Sequence, residues 1–395
     1  MLILTLACSM HVPMEAPPAP TPHQGAEQPV GFERTTPRRL VGSEWKDEVG
    51  VQILRQARSE GRAMEQLAWL CDWFPGRLAG TEALEGAVVW AAEMLEEVGA
   101  TQVRLDPVEV PVWVRGEERL ELIQPFSREL EILGLGGTVG VEGLEAPVVV
   151  VSHFDELGPQ VEGAMVLYDV PMNSGTPTLE RYGEAVAYRA HGASRAAEYG
   201  AAGVLVRSVT TRSLYTPHTG GLRYDENLPR IPAAAVTVED SAMLKRLVGG
   251  DHSVVARLDL GAHEEPDATS HNVLGEIQGS EHPDEIVVIG AHLDSWDVTP
   301  GAHDDGAGVI QVLETMRIIA DLPVEPRRTI RAVLFTNEEN GLRGGRAYAR
   351  DHGEERHIAA IESDLGGGWP LTWSARGTEE QVDWLASLAA PLGMP

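Results

Sequence analysis

The sequence predicts an α/β protein with a mostly parallel central sheet, flanking helices, and an inserted smaller unit with its own strands and helices. Three observations carry this expectation. Val148-Val149-Val150-Val151 and Ile286-Val287-Val288-Ile289 are short, continuous, β-branched runs, the pattern of strands buried on both faces. Between such runs, apolar residues recur at helical spacing, as in Val309, Val312, Leu313 and Met316. Beyond Asp267 strand and helix alternate, which implies right-handed crossovers and parallel neighbours.

In order along the chain, Met1–Cys8 is a short apolar run ending in Ala-Cys, the form of a lipoprotein signal with Cys8 as the lipid-bearing residue. Residues 9–40 are rich in Pro, Thr, Gln and charge and read as a disordered tether. Together, residues 1–40 predict an exported protein, anchored to the cell envelope or secreted. Residues 41–120 form the first part of the main domain. Helical spacing runs from Ser43 to Gly99, the latter suited to a helix end, and Val108, Val110, Val112 and Val114 then alternate as in a strand. The inserted unit spans 121–262. It holds strands at Val148–Val151, Met165–Tyr168, Gly203–Val206 and Ala233–Val236, a short helix at Ser194–Tyr199 and another at Glu239–Val248. Its loop Ser208–Arg230 carries Tyr215, His218, Arg223 and Tyr224 and is long enough to border a substrate cleft. Residues 263–395 return to the main domain, with strands at Ile286–Ile289, Thr329–Thr336 and Ile358–Glu362 and helices at Val309–Ala320 and Glu379–Leu388.

Composition excludes several functions. The net charge of −29 leaves no basic face for nucleic acid. Two cysteines, Cys8 and Cys71, are too few for a disulfide framework or a cysteine-based metal site, so any metal must use His, Asp and Glu. No apolar run reaches the length of a membrane-spanning helix.

The chemistry sits where the later strands end. His292-Leu293-Asp294 follows the first, His303-Asp304-Asp305-Gly306 precedes the helix, Glu338-Glu339 follows the second strand, and Glu362-Ser363-Asp364 ends the third. Ligands of open α/β sheets bind outside the carboxyl ends of the strands. Each group alone has a plain reading: Glu-Glu as a solvated face, Asp304-Asp305 as a helix cap and first-turn carboxylate. Their order and shared placement argue for a metal centre. Zinc accepts imidazole and carboxylate, and two ions side by side need a carboxylate between them, which the Gly-rich segment around Asp304 could deliver. His292 would bind one ion, with Asp294 fixing its tautomer. Of two adjacent glutamates, one can bind metal while the other serves as general base.

These segments resemble the zinc aminopeptidase family with a paired metal site, and within it the carboxypeptidase Q branch. The resemblance lies in Ala291-His292-Leu293-Asp294-Ser295-Trp296-Asp297-Val298 and Glu362-Ser363-Asp364. In the inserted unit it lies in Tyr215-Thr216-Pro217-His218-Thr219-Gly220, Ile231-Pro232-Ala233 and Val238-Glu239-Asp240. It covers roughly residues 45–395 and implies the zinc exopeptidase fold with a protease-associated-type insertion. Also implied are two zinc ions: His292 and Asp364 each bind one, Asp304 bridges both, and Glu339 binds the other. Glu338 is then the general base and Asp294 the orienting residue. Hydrolysis of terminal peptide bonds in short peptides follows, as does a homodimer. The family carries one more metal histidine well after the Asp364 position. Residues 366–395 contain none, so the chain reads as a C-terminally truncated fragment of weak or absent activity, or as a degenerate member. Two rival functions share the fold, a non-catalytic receptor-like binding protein and a single-zinc glutaminyl cyclase.

Overall fold

A computed structural model describes residues 48–59, 61–172, 179–212, 214–250, 252–364, 366–368 and 375–389. The expected signal, Cys8, the tether and Ser43 lie outside the described residues. Residues up to Val110 together with those from Ala268 make one compact unit, and Pro111–Asp267 makes a second.

The helical stretch expected from residue 43 consists of three helices, α1 (Glu48–Ser59), α2 (Ala63–Trp73) and α3 (Glu82–Glu97), followed by strand β1 (Thr101–Val114). Helix α3 starts where Thr81 Oγ1 accepts the Leu84 N–H at 3.2 Å, an N-cap that satisfies one of the free donors of the first turn. Its apolar positions Leu84, Ala87, Val88, Ala91 and Leu95 are buried, and Gly99 follows at φ +92°.

The second unit contains β2 (Glu118–Gln124), β3 (Arg128–Leu130), β4 (Ile132–Gly134), β5 (Val141–Val151), β6 (Met165–Tyr168), α4 (Leu179–Ala197), β7 (Gly203–Arg207), β8 (Ala233–Val236), α5 (Val238–Gly249) and β9 (Val255–Leu260). Its sheet has the order β3-β2-β9-β5-β6-β7-β8-β4, with β5 to β8 parallel. Helix α4 corrects the sequence reading: it begins at Leu179, not Ser194, and ends at Ala197. Gly192 lies inside it. A Cβ there would lie 2.7 Å from the Tyr168 ring, and the Tyr168 hydroxyl donates to the Gly192 carbonyl at 2.9 Å. Close packing against Tyr168 selects this glycine. In the long loop, Tyr224 turns inward and donates to the Ile231 carbonyl at 2.6 Å.

The chain returns through β10 (His263–Ile277), β11 (His282–His292), α6 (Ala307–Ala320), β12 (Arg328–Phe335), α7 (Arg343–His352), β13 (Arg356–Glu362) and α8 (Glu379–Ala389). The sheet order is β1-β10-β12-β11-β13. Strand β11 runs parallel to both β12 and β13, whereas β10 is antiparallel to β12, so the sheet is mixed and its site-bearing half is parallel. One face packs Val273, Ala332 and Leu334 against Leu95 of α3 and Val309, Leu313 and Met316 of α6. The other packs Leu274, Ile286, Val288, Val333 and Phe335 against Tyr348 of α7, a helix that the sequence reading did not single out. Cover on both faces is why these strands are apolar at consecutive positions. Each fully buried Leu or Met contributes roughly 2 kcal/mol, so this core fixes the strand ends firmly.

Candidate metal centre

Strand register delivers the site. His292, the last residue of β11, pairs with Phe335 at the end of β12, and Gly290 pairs with Glu362 at the end of β13. Three parallel strands therefore stop within two residues of one another. The chain segments that leave them carry His292–Asp294, Glu338-Glu339 and Asp364 to a common edge.

His292 is buried to 1 % exposure. Its Nε2 lies 3.1 Å from Asp304 Oδ1 and 3.2 Å from Asp364 Oδ1. Its Nδ1 lies 3.1 Å from the Asp294 carbonyl oxygen and 3.5 Å from Asp294 Oδ1. Asp294 is also fully buried and reaches the second strand end: its Oδ1 accepts the Glu338 N–H at 3.0 Å and its Oδ2 the Glu339 N–H at 3.2 Å. All six residues expected at the site belong to this edge of the sheet. His292, Asp304 and Asp364 meet directly, and the two glutamates are tied to His292 through Asp294.

Asp305 was read as part of a helix start, and it has a second task. Its Oδ1 accepts the Gly308 N–H at 3.0 Å in the first turn of α6, and its Oδ2 accepts the His292 N–H at 3.1 Å. One carboxylate thus locks the helix start to the histidine backbone. Ligand atoms of His292, Asp305 and Asp364 lie within 4.8 Å of one another, but the hydrogen bonds decide between the neighbouring acids. Asp305 is fully buried with both oxygens engaged by backbone N–H groups, whereas the Asp304 side chain is 62 % exposed and faces Nε2. Asp305 is the anchor, and Asp304 is the neighbour whose carboxylate faces the imidazole. The Asp-Asp-Gly triplet before an apolar helix was the available signal. Asn337, fully buried at φ +60° between β12 and Glu338, gave no sequence signal.

Three other histidines of this unit have partners of their own. His352 Nε2 pairs with Asp106 at 2.7 Å and His357 Nε2 with the Tyr348 hydroxyl at 2.9 Å, while the His303 ring lies against Gly366.

Crowded carboxylates shift one another. Burial, then the charges of Asp294, Asp364 and Asp304, raises Glu338 to about 7 against the pull of His292. Burial and the Asp304 charge lift Glu339 well above its ordinary value. Asp305 rises to about 8, chiefly through burial. Burial pushes the His292 imidazole down, but its bonds to Asp294, Asp304 and Asp364 outweigh that and hold it well above its usual range. An acidic nest of this kind suits a cation. Two donors each about 2.0 Å from a tetrahedral zinc stand about 3.3 Å apart, and the Nε2 separations of 3.1 and 3.2 Å match that spacing. Imidazole plus carboxylate is also a zinc donor set.

The sequence profile of peptidase family M28 matches residues 272–380. Carboxypeptidase Q of Xenopus laevis is 41 % identical over 84 % of this chain and 70 % of its own length. The Homo sapiens carboxypeptidase Q is 38 % identical over 87 % of this chain and 74 % of its own. Among solved structures, a peptidase M28 precursor from Shewanella amazonensis SB2B superposes with TM-score 0.82 at 37 % identity, covering 87 % of this chain and 80 % of that one. A zinc aminopeptidase from Bacillus subtilis shares the fold, with TM-score 0.57 at 22 % identity.

Proposed function

The chain belongs to the carboxypeptidase Q branch of peptidase family M28, whose members are zinc metallopeptidases, and from that premise we propose that it hydrolyses terminal peptide bonds of short peptides at a two-zinc site. His292 and Asp364 would hold one ion, Glu339 the other, and Asp304 both. The observation that carries this reading is the contact of His292 Nε2 with Asp304 and Asp364, in reach of a Glu-Glu pair hung on Asp294.

Zinc, when bound, supplies a Lewis acid that acidifies water and polarises a peptide carbonyl. The chain's own residues do the rest. Glu338 would accept a proton from the attacking water and return it to the leaving nitrogen. Asp294 fixes the His292 ring and the backbone from which both glutamates project. The part-exposed carboxylates of Asp304 and Asp364, 62 % and 40 % exposed, mark the side from which a peptide enters. The same reading makes the inserted unit a protease-associated-type domain and the protein an exported homodimer, either anchored through Cys8 or secreted.

The test pairs zinc content with turnover. Glu338→Gln should retain the parent's zinc, measured by mass spectrometry of the metal, and lose amino-acid release from dipeptides, however slow the parent. A variant that keeps the parent's rate would remove Glu338 from the mechanism. Parent protein that takes up no zinc at all would remove the metal centre itself.

A further inference from the structure

We infer that Arg77 is a positioning residue of the metal centre, a buried cation that braces the His292–Asp294 segment against the loop that delivers Asp304. The inference rests on the metallopeptidase reading above.

Arg77 is fully buried, yet its guanidinium has no carboxylate among its hydrogen-bond partners. It donates to four backbone carbonyls instead. Nε reaches Leu293 at 2.8 Å, Nη1 reaches Phe74 at 3.1 Å and Pro300 at 2.7 Å, and Nη2 reaches Gly301 at 3.1 Å. The identities of these acceptors matter. Leu293 is the residue between His292 and Asp294. Gly301 opens the turn that contains Asp304, and its carbonyl also accepts the Gly306 N–H at 2.9 Å. One planar fork therefore grips both ligand-bearing segments.

The backbone around Arg77 completes the clamp. Its N–H donates to Ser295 Oγ at 3.1 Å, the Ser295 N–H donates to the Arg77 carbonyl at 3.1 Å, and the Gly76 N–H donates to Thr299 at 2.9 Å. Gly301 sits at φ +60°, and a Cβ there would lie 2.4 Å from Ser295 Cβ and 2.8 Å from Arg77 Nη2, so the turn is packed against both the serine and the guanidinium. Arginine is required because it alone offers five donors in a fixed plane, whereas lysine is a point donor on a flexible stem. A buried cation without a contacting acid is costly, and the ionisable groups whose field it feels are Cys71 first and then Asp294, Asp305 and Glu339 of the site itself. The brace and the acidic nest thus stabilise each other.

The experiment compares the full parent chain with Arg77→Lys and Arg77→Met in cobalt(II) titrations. It reads the visible d–d absorption of the ion, with near-ultraviolet circular dichroism as a check on folding. Both variants should fold, bind cobalt roughly 10- to 100-fold more weakly, and show a changed band envelope, with lysine failing to rescue. Either variant folded, with the parent's affinity and spectrum, overturns the inference. So does failure of both to fold, which would make Arg77 a folding residue only. If the parent itself binds no cobalt, the metal-centre reading falls and the inference with it.

Discussion

Asp294 holds Glu338 by its backbone: Oδ1 of the aspartate accepts the Glu338 N–H at 3.0 Å. Its other oxygen takes the Glu339 N–H, so a residue placed to orient His292 also sets where the glutamates start. Asp294→Asn replaces one acceptor oxygen with a donor that faces an N–H. Zinc affinity should fall roughly 10- to 100-fold, as measured by competition with a chromophoric chelator. Unchanged affinity would show that the glutamates find their places without this tether.

Metal uptake should release protons. In protein stripped of metal, His292 holds its proton well above its usual range because Asp294, Asp304 and Asp364 surround it. The ion needs the neutral ring, so proton and metal compete, and affinity should rise with pH through and beyond the ordinary histidine range. Calorimetric titration in two buffers of different ionisation enthalpy reads the protons released. Equal apparent enthalpies in both would contradict the competition.

Glu85 offers a test on stability. Burial lifts it to about 6, with nearby Ser270 only partly offsetting, and its Oε1 is buried without a hydrogen-bond partner. A raised carboxyl pKa means that the folded state holds the proton more tightly than the unfolded state. The cost is therefore absent at acid pH, grows as pH rises through the interval between the two values, and is complete above about 6. Glu85→Gln should match the parent near pH 4 and gain up to about 2 kcal/mol at pH 8. Urea unfolding at both pH values checks the difference.

Gly308 should tolerate no side chain. A Cβ at this position would press on the Ser363 carbonyl and on both oxygens of Asp305, the residue that ties α6 to His292. Gly308→Ala should cost about 1–3 kcal/mol as overpacking and weaken zinc binding as well. A thermal melt with and without zinc separates the two effects.

Much of the architecture was legible because it is written in local patterns. Two-sided burial forces four apolar residues in a row at Ile286–Ile289, and α6 shows its spacing from Val309 onward. The candidate site residues were legible as a group because three of the clusters follow strands, whose ends in a parallel sheet share an edge, and the fourth opens α6. What stayed hidden depends on contacts between distant residues. Nothing in the sequence around Gly192 points to the Tyr168 ring that packs against it. Helix α7 has few apolar residues beyond Ala347 and Tyr348, so its periodicity is faint. Arg77 lies in a Pro-Gly-Arg turn whose spacing says nothing about carbonyls far along the chain. Asp305 differs from Asp304 only in the direction its carboxylate faces.

The division of the chain at Val110 and Ala268 has a consequence for synthesis. Every strand of the second unit's sheet, β2 through β9, precedes all of the candidate site residues in the chain, so that unit is complete in sequence before the first one is. The first unit must wait. Leu84, Val88 and Leu95 of α3 find their partners in Val273, Leu313 and Leu334, and those residues emerge only after the whole insertion has been translated. During that interval α3 presents an uncovered apolar face. Chaperone demand should therefore concentrate on the N-terminal helices, and Arg77 must remain unburied until residues 293–301 arrive to receive it.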